Sequence, residues 1–300
     1  MTHTPRLFVP LITPFAEDLS VDLPRLSAVG QRMLDDGADG LAPFGTTSEA
    51  TSMSVDERIE ALEALVAAGI DPGCMIPGTG CAALPDTIRL TRHAVGLGVR
   101  GTLTLPPFFY KSLSEDGVFA AYARVIEAVG PGLRLFLYHI PQMSGVPITV
   151  ELIGRLVTEF PGVVAGLKDS SGNWDNTAAI IAAFPKIETY SASEALLVKN
   201  VAAGGAGCIS ASANVNAHGI SALIRALGTE DEAARIADAA AIRGLCEKLP
   251  LIPGIKAIVA SRMKDEAYAR VRPPLVAAGQ EHSVAVNSAA TLCDGESASV

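Results

Sequence analysis

The sequence predicts an α/β protein of the (β/α)8, or TIM, barrel class with a C-terminal helical appendage. Short apolar strands alternate with amphipathic helices from the first residues to about residue 227, giving eight strand-to-helix units with no all-β or all-α block between them. The 300 residues are 49% hydrophobic but only 5% aromatic, with 28 glycines, a composition that suits helices packed closely on a parallel sheet. The length allows two domains, but α/β barrels routinely reach it as one. An open doubly wound sheet is the rival, and it lacks a Gly-rich dinucleotide turn after the first strand.

Residues 7–15 open with a strand and a Pro-bounded loop. Asp22 then caps a helix with Leu26, Val29 and Met33 on one face, ending near Gly37. Residues 40–45 (GLAPFG) form the second strand, and Ser54 with Glu57 makes a capping box ahead of the next helix, which stops at Gly69. Residues 74–80 (CMIPGTG) give a third strand and a helix follows over 84–95. Residues 101–108 are the fourth strand, and Ser114 caps the helix after it. Residues 133–140 (LRLFLYHI) are the fifth, followed by a long turn over 141–147 and a helix over 150–160. Residues 163–168 are the sixth strand, and Asn173 starts the helix that runs to Phe184. Residues 186–191 are the seventh, with a helix at 194–203, and residues 206–211 (AGCISA) are the eighth.

The barrel is expected over residues 1–227, and beyond it the chain stays helical over 228–279. Residues 230–249 are alanine-rich, with acids first and basic residues later, as the helix dipole prefers. Pro253 and Gly254 are expected to break the chain before a helix at 255–263, with a short final helix at 272–278. Residues 280–300 turn to Ser, Ala and Asn without periodicity, the composition of a poorly ordered tail.

A net charge of −9 without a basic cluster argues against nucleic acid or an anionic membrane as partner. The five cysteines are an odd number without a compact framework, which fits a reducing cytosol, and Cys74 and Cys81 are too far apart for a redox or zinc pair. The start, MTHTPRLFVPLITPF, lacks a signal-peptide pattern, and no apolar run reaches spanning length. A soluble, cytoplasmic protein is expected. The five histidines show no ligand spacing, so no metal is expected, and no cofactor is expected either.

Barrel sites are built where strands end and loops begin. That rule selects Thr46, Thr47, Ser48 and Glu49; Phe109, Tyr110 and Lys111; Tyr138 and His139; Lys168 and Asp169; Ser191, Ser193 and Glu194; and Ser210 with Asn214. Lys168 is the centre of the set. In VVAGLKDSSGN it ends an apolar strand, where desolvation favours the neutral amine, a nucleophile that makes Schiff bases with ketones. It could instead be an ion-paired or snorkelling lysine. Tyr138 could move protons or be a core tyrosine with a satisfied hydroxyl. The Thr46–Thr47 pair could hold a carboxylate or cap a loop. His139 alternates with Tyr138 and should face the helices, in a structural role. Lys199 and Lys256 lie in helical patterns and are weak rivals to Lys168.

The stretches GTTSEA (45–50), YHIPQMSG (138–145) and GLKDSSGN (166–173) resemble three signatures of the dihydrodipicolinate synthase and N-acetylneuraminate lyase superfamily. The resemblance runs from about Leu7 to Gly279. It implies a (β/α)8 class I lyase, commonly a tetramer or dimer of dimers, acting on pyruvate or another 2-keto acid. Lys168 would form the Schiff base, Tyr138 would shuttle protons, and Thr46 would belong to its relay. Thr47 would hold the substrate carboxylate, and the backbone at Ile209 would line the pocket.

Two departures bear on the substrate. Synthases that condense pyruvate with aspartate semialdehyde have an arginine in the turn after the tyrosine, and Met143 stands there, with no charge and no fork of donors. The relay tyrosine that the family donates across a subunit interface matches Phe109, with Tyr110 adjacent. Sugar-acid lyases use polar side chains after the seventh strand. Ser193 and Glu194 could bind a polyol there or cap the following helix. The expected activity is a class I aldolase acting on a 2-keto-3-deoxy acid. The alternatives are dihydrodipicolinate synthase, a dehydratase using the same imine, and a keto-acid sensor without turnover.

Overall fold

A computed structural model describes residues 3–297 of the chain. They fold as two compact units, a central one of Asp71–Ile209 and a terminal one of Arg6–Ile70 together with the chain from Ser210 onward.

The terminal unit starts with β1 (Arg6–Val9). Helix α1 (Leu23–Asp35) follows, and the Asp22 carboxylate accepts the Arg25 N–H at 3.0 Å, satisfying one orphan donor of the first turn. Leu26, Val29 and Met33, three and four residues apart, form its buried face. β2 (Gly40–Leu41) runs parallel to β1, with Phe8 opposite Gly40. Helix α2 (Val55–Ala67) carries the predicted capping box in full, the Ser54 hydroxyl accepting the Glu57 N–H while the Glu57 carboxylate accepts the Ser54 N–H.

In the central unit the third expected strand is reduced to isolated bridge positions at Met75 and Gly78, the latter paired in parallel with Leu103. Pro77 has no N–H for a ladder, so only its carbonyl and the Thr79 N–H reach Leu103. The described residues therefore hold seven strands rather than eight. Helix α3 (Leu84–Gly96), strand β3 (Thr102–Thr104) and helix α4 (Glu115–Val129) follow, the last capped by Ser114 as expected. Next come β4 (Leu135–His139), α5 (Pro141–Ser144) and α6 (Val150–Glu159). The short helix α5 occupies the predicted long turn and stops at Gly145, whose φ of 67° is the left-handed conformation glycine adopts freely. Then come β5 (Val164–Asp169), α7 (Trp174–Ala183) capped by Asn173, β6 (Glu188–Ser191), α8 (Leu197–Ala202) and β7 (Gly207–Ile209).

Strands β3 to β7 pair in chain order and all run parallel. Alternation sorts their side chains. Leu135, Leu137 and Leu167 join Leu152, Leu156 and Ile180 of the helices in one cluster, where each fully buried leucine contributes about 1.5–3 kcal/mol. Phe136, Tyr138, Gly166 and Lys168 point to the other face. A Cβ on Gly166 would stand 2.4 Å from the Phe136 ring, so a glycine is required for the ring to fit before β5 reaches Lys168.

The rest of the terminal unit is helical: α9 (Ala213–Ala226), α10 (Glu232–Cys246), α11 (Leu251–Met263) and α12 (Ser283–Ser297). Three expectations are corrected here. Pro253 does not break the chain, because it falls in the first turn of α11, where an N–H has no intrahelical partner to lose. Residues 272–278 form no helix, since Pro273 and Pro274 bias the residues before them away from helical geometry. The expected unstructured tail over 280–297 is instead a 3-10 turn (Gln280–His282) and α12, which packs on α9, α10 and α11. Val286, Ala289, Ala290 and Cys293 form its buried stripe. Residues 298–300 of that expected tail lie outside the described residues.

Candidate active site

In the central unit, β4 and β5 set Tyr138 opposite Lys168 in the parallel register. The Lys168 side chain comes from a strand buried at every position but Ala165, is itself only 5% exposed, and donates from Nζ to the Tyr138 hydroxyl at 3.5 Å. The same nitrogen lies 4.6 Å from the centre of the Tyr138 ring. A primary amine and a phenol thus meet at the ends of neighbouring strands, where the chain turns polar.

The next residue along each strand faces the helices. Asp169 is saturated, accepting from the Ser171 N–H at 2.8 Å, Asn176 Nδ2 at 2.9 Å and Thr177 Oγ1 at 2.8 Å. His139 Nδ1 accepts the Ile148 N–H at 3.0 Å, which requires the neutral ring with its proton on Nε2. Burial pushes the His139 pKa below its ordinary value, against the opposing pull of Asp169. Both residues build the frame around Lys168, the structural part anticipated for His139.

Around this pair the loops are tied to one another. Gln142 Nε2 donates to Ser170 O at 2.7 Å, and Lys111 Nζ donates to Phe108 O at 2.5 Å and Ser144 O at 2.8 Å. Met143 of α5 is 61% exposed. Phe109 and Tyr110 are 74% and 70% exposed and pack edge to face, their centroids 5.7 Å apart. After β6 the Ser191 hydroxyl donates to Ser193 O at 3.0 Å, and the Ser193 hydroxyl accepts the Ala195 N–H at 3.1 Å. Ser193 is therefore a cap for the turn Glu194–Leu196, in which Glu194 is buried. Ile209 closes β7, fully buried.

In the terminal unit, Thr46 and Thr47 sit in the turn after β2. The Glu49 N–H donates to Thr46 O at 3.1 Å and the Ala50 N–H to Gly45 O at 3.2 Å. Thr13 Oγ1 donates to Ser48 O at 2.8 Å, and the Ser48 hydroxyl donates to Leu11 O. Glu49 adopts the left-handed conformation at φ 57°, a cost of about 1–3 kcal/mol for a residue with a side chain. Its carboxylate is buried and doubly held, by Lys256 Nζ at 2.6 Å and by the Arg272 N–H at 2.9 Å. Lys256 is 0% exposed, and burial pulls its pKa down to about 8 against the pull of Glu49. Set aside in the sequence as a weak rival to Lys168, Lys256 has a signal of its own. It is the one charged residue between 249 and 261, in a stretch apolar on every face. Asn214, also on the rim list, is spent on the backbone, accepting the Ile12 N–H and donating to Pro10 O, each at 3.0 Å. Among the described residues no cluster of three His, Cys, Asp or Glu could hold a metal ion.

Comparison with known proteins finds relatives along nearly the whole chain. Residues 3–292 match the model of the dihydrodipicolinate synthetase family. A protein of Chloroflexus aurantiacus, named as an uncharacterized DapA-like lyase, is 36% identical over 93% of both chains. The crystal structure of dihydrodipicolinate synthase from Agrobacterium tumefaciens superposes with a TM-score of 0.85 at 33% identity, covering 97% of this chain and 98% of that one. A 2-keto-3-deoxygluconate aldolase variant from Sulfolobus solfataricus superposes equally well, TM-score 0.85, at 20% identity and 98% and 97% coverage, a likeness of fold alone. The α/β-barrel class expected from the sequence is the fold of these relatives.

Proposed function

From the membership of this chain in the dihydrodipicolinate synthetase family, we propose that it is a class I lyase that interconverts a 2-keto-3-deoxy acid with pyruvate and an aldehyde through an imine on Lys168. The observation that carries the reading is the buried Lys168 amine 3.5 Å from the Tyr138 hydroxyl. The amine adds to the C2 ketone and water leaves, forming the protonated imine. Tyr138 takes the proton of the C4 hydroxyl as the C3–C4 bond breaks, and the bonding pair moves into the imine to give an enamine. The aldehyde departs, C3 is protonated, and water releases pyruvate and the free lysine. Every step uses side chains of this chain and the substrate, and none calls on a metal or cofactor.

The roles proposed for Thr46, in the proton relay, and for Thr47, on the substrate carboxylate, rest on the motif GTTSEA. Ser191, Ser193 and Glu194 are proposed as second-substrate contacts, the two serines with what their internal hydrogen bonds leave over. Exposed Phe109 and Tyr110 support assembly with further copies of the chain, as a tetramer or dimer of dimers. A cytoplasmic location is proposed from the soluble family, and no helix among the described residues is long and apolar enough to cross a membrane.

Borohydride reduction in the presence of pyruvate tests the mechanism. It should leave a pyruvate-derived mass on Lys168, and an unmodified protein or an adduct on another lysine overturns it. The synthase reading is favoured by the Agrobacterium relative and opposed by uncharged Met143. A coupled assay with aspartate semialdehyde, run beside a retro-aldol screen of 2-keto-3-deoxy acids, separates the two. A sensor without turnover has no support among relatives named as lyases and synthases.

A further inference from the structure

We infer that Lys256 and Glu49 are positioning residues: a buried ion pair that fixes the turn bearing Thr46 and Thr47 and thereby sets affinity for the keto-acid carboxylate. The inference rests on the role proposed above for Thr47.

The pair is unusually complete. Lys256 Nζ donates to Glu49 Oε1 at 2.6 Å and to Thr13 O at 2.8 Å, and lies 4.4 Å from the centre of the Phe15 ring. The Arg272 guanidinium lies 4.5 Å from the centre of that ring, while the Arg272 N–H holds the second carboxylate oxygen of Glu49. The amine thus donates to the carboxylate and to the carbonyl of Thr13, whose hydroxyl in turn donates to the Ser48 carbonyl. Lysine, carboxylate and turn backbone form one connected network. Its members come from the loop after β1, the turn after β2, helix α11 and the segment that follows it.

Stability alone does not explain such a pair. Burying two charges costs about as much as their attraction returns, and apolar side chains of the same size often serve as well or better. What an ion pair with several directional partners adds is a single geometry. Here it holds Glu49 in a left-handed conformation that a residue with a side chain avoids, two residues after Thr47. The side chain of Glu49 is drawn inward to Lys256 and Arg272, and the direction of the turn before it is set by that anchor.

The test compares half-saturating pyruvate for borohydride trapping in the wild type, Thr47→Ala, Glu49→Gln and the double variant Lys256→Met with Glu49→Gln. Trapping reads occupancy of the keto-acid site without the aldehyde chemistry. The double variant removes both charges, so neither is left orphaned, and thermal melting confirms its folding. Half-saturation is expected to rise at least tenfold in Thr47→Ala and in the folded double variant, with smaller change in the limiting trapping rate. Wild-type half-saturation in a folded double variant, beside a raised value in Thr47→Ala, overturns the anchor and leaves the pair a stability element. An unchanged Thr47→Ala with a raised double variant sinks the Thr47 carboxylate role, while the anchor stands through another group of the turn. If the double variant does not fold, Glu49→Gln decides alone, and wild-type half-saturation there overturns the proposal.

Discussion

His139 and Asp169 face one another across the β4–β5 register, one step beyond Tyr138 and Lys168, and both are buried. The imidazole stays neutral there because burial disfavours its cation more than Asp169 favours it. Its folded pKa lies below its ordinary 6.5, so the unfolded chain binds the proton first as pH falls. Stability is therefore full above about pH 6.5 and declines below it, by up to about 1.4 kcal/mol per pH unit, the limit for one proton. Urea unfolding between pH 7.5 and 5 should show this decline, and it should flatten in His139→Asn. A parallel pH dependence in the variant would assign the effect elsewhere.

Tyr138→Phe removes the hydroxyl next to Lys168 and leaves the ring. Turnover should fall about 10²–10⁴-fold, the usual worth of a positioned acid–base group. Pyruvate trapping on Lys168 should persist, because imine formation has its amine intact. Loss of both together would make Tyr138 a group needed to form the imine.

Met143→Arg puts a guanidinium on the exposed side chain of α5. For aldehydes that carry a carboxylate, KM should fall several-fold, since a fork of charged donors replaces a thioether. Neutral aldehydes should show no gain. Equal change for both classes would remove Met143 from the second-substrate site.

Glu57 is held well below the carboxylate range, at about 2, chiefly by its hydrogen bonds with Arg272, whose attraction outweighs the cost of partial burial. With the folded pKa depressed, this stability is present above about pH 4.5 and is lost as pH falls toward 2. Solvent screening reduces it to about 1–2 kcal/mol. Glu57→Gln should lower stability at pH 6 by that amount and make no difference near pH 2, as read by urea midpoints.

The parts of the fold legible in the sequence are those fixed within a few residues. Asp22, Ser54 with Glu57, Ser114 and Asn173 each bond to an N–H two or three positions on, and each marks a helix start correctly. The strand ends were equally legible, because apolar runs stop abruptly at Tyr138–His139 and at Lys168–Asp169. Less legible was whatever depends on partners far along the chain. Residues 74–80 carry a strand-like apolar pattern, but Pro77 cannot complete a ladder, and the pattern alone does not weigh that loss. Helix α12 escaped notice because its buried stripe is made of small residues, Ala289, Ala290 and Cys293, beside a lone Val286. Lys256 escaped because its partners, Thr13 and Glu49, lie more than 200 residues away.

The division of the chain into a contiguous central unit and a terminal unit drawn from both ends has a consequence for synthesis. Residues Arg6–Ile70 leave the ribosome before the central unit, yet α9 to α12, with which they share a unit, lie beyond Ser210. At ordinary translation speed the intervening Asp71–Ile209 takes roughly 10–30 s to emerge. During that interval β1 and α1, which pack on α9, wait without it, while the strands of the central unit emerge one after another. This early segment is thus completed only after the central unit, and is the part most in need of a chaperone.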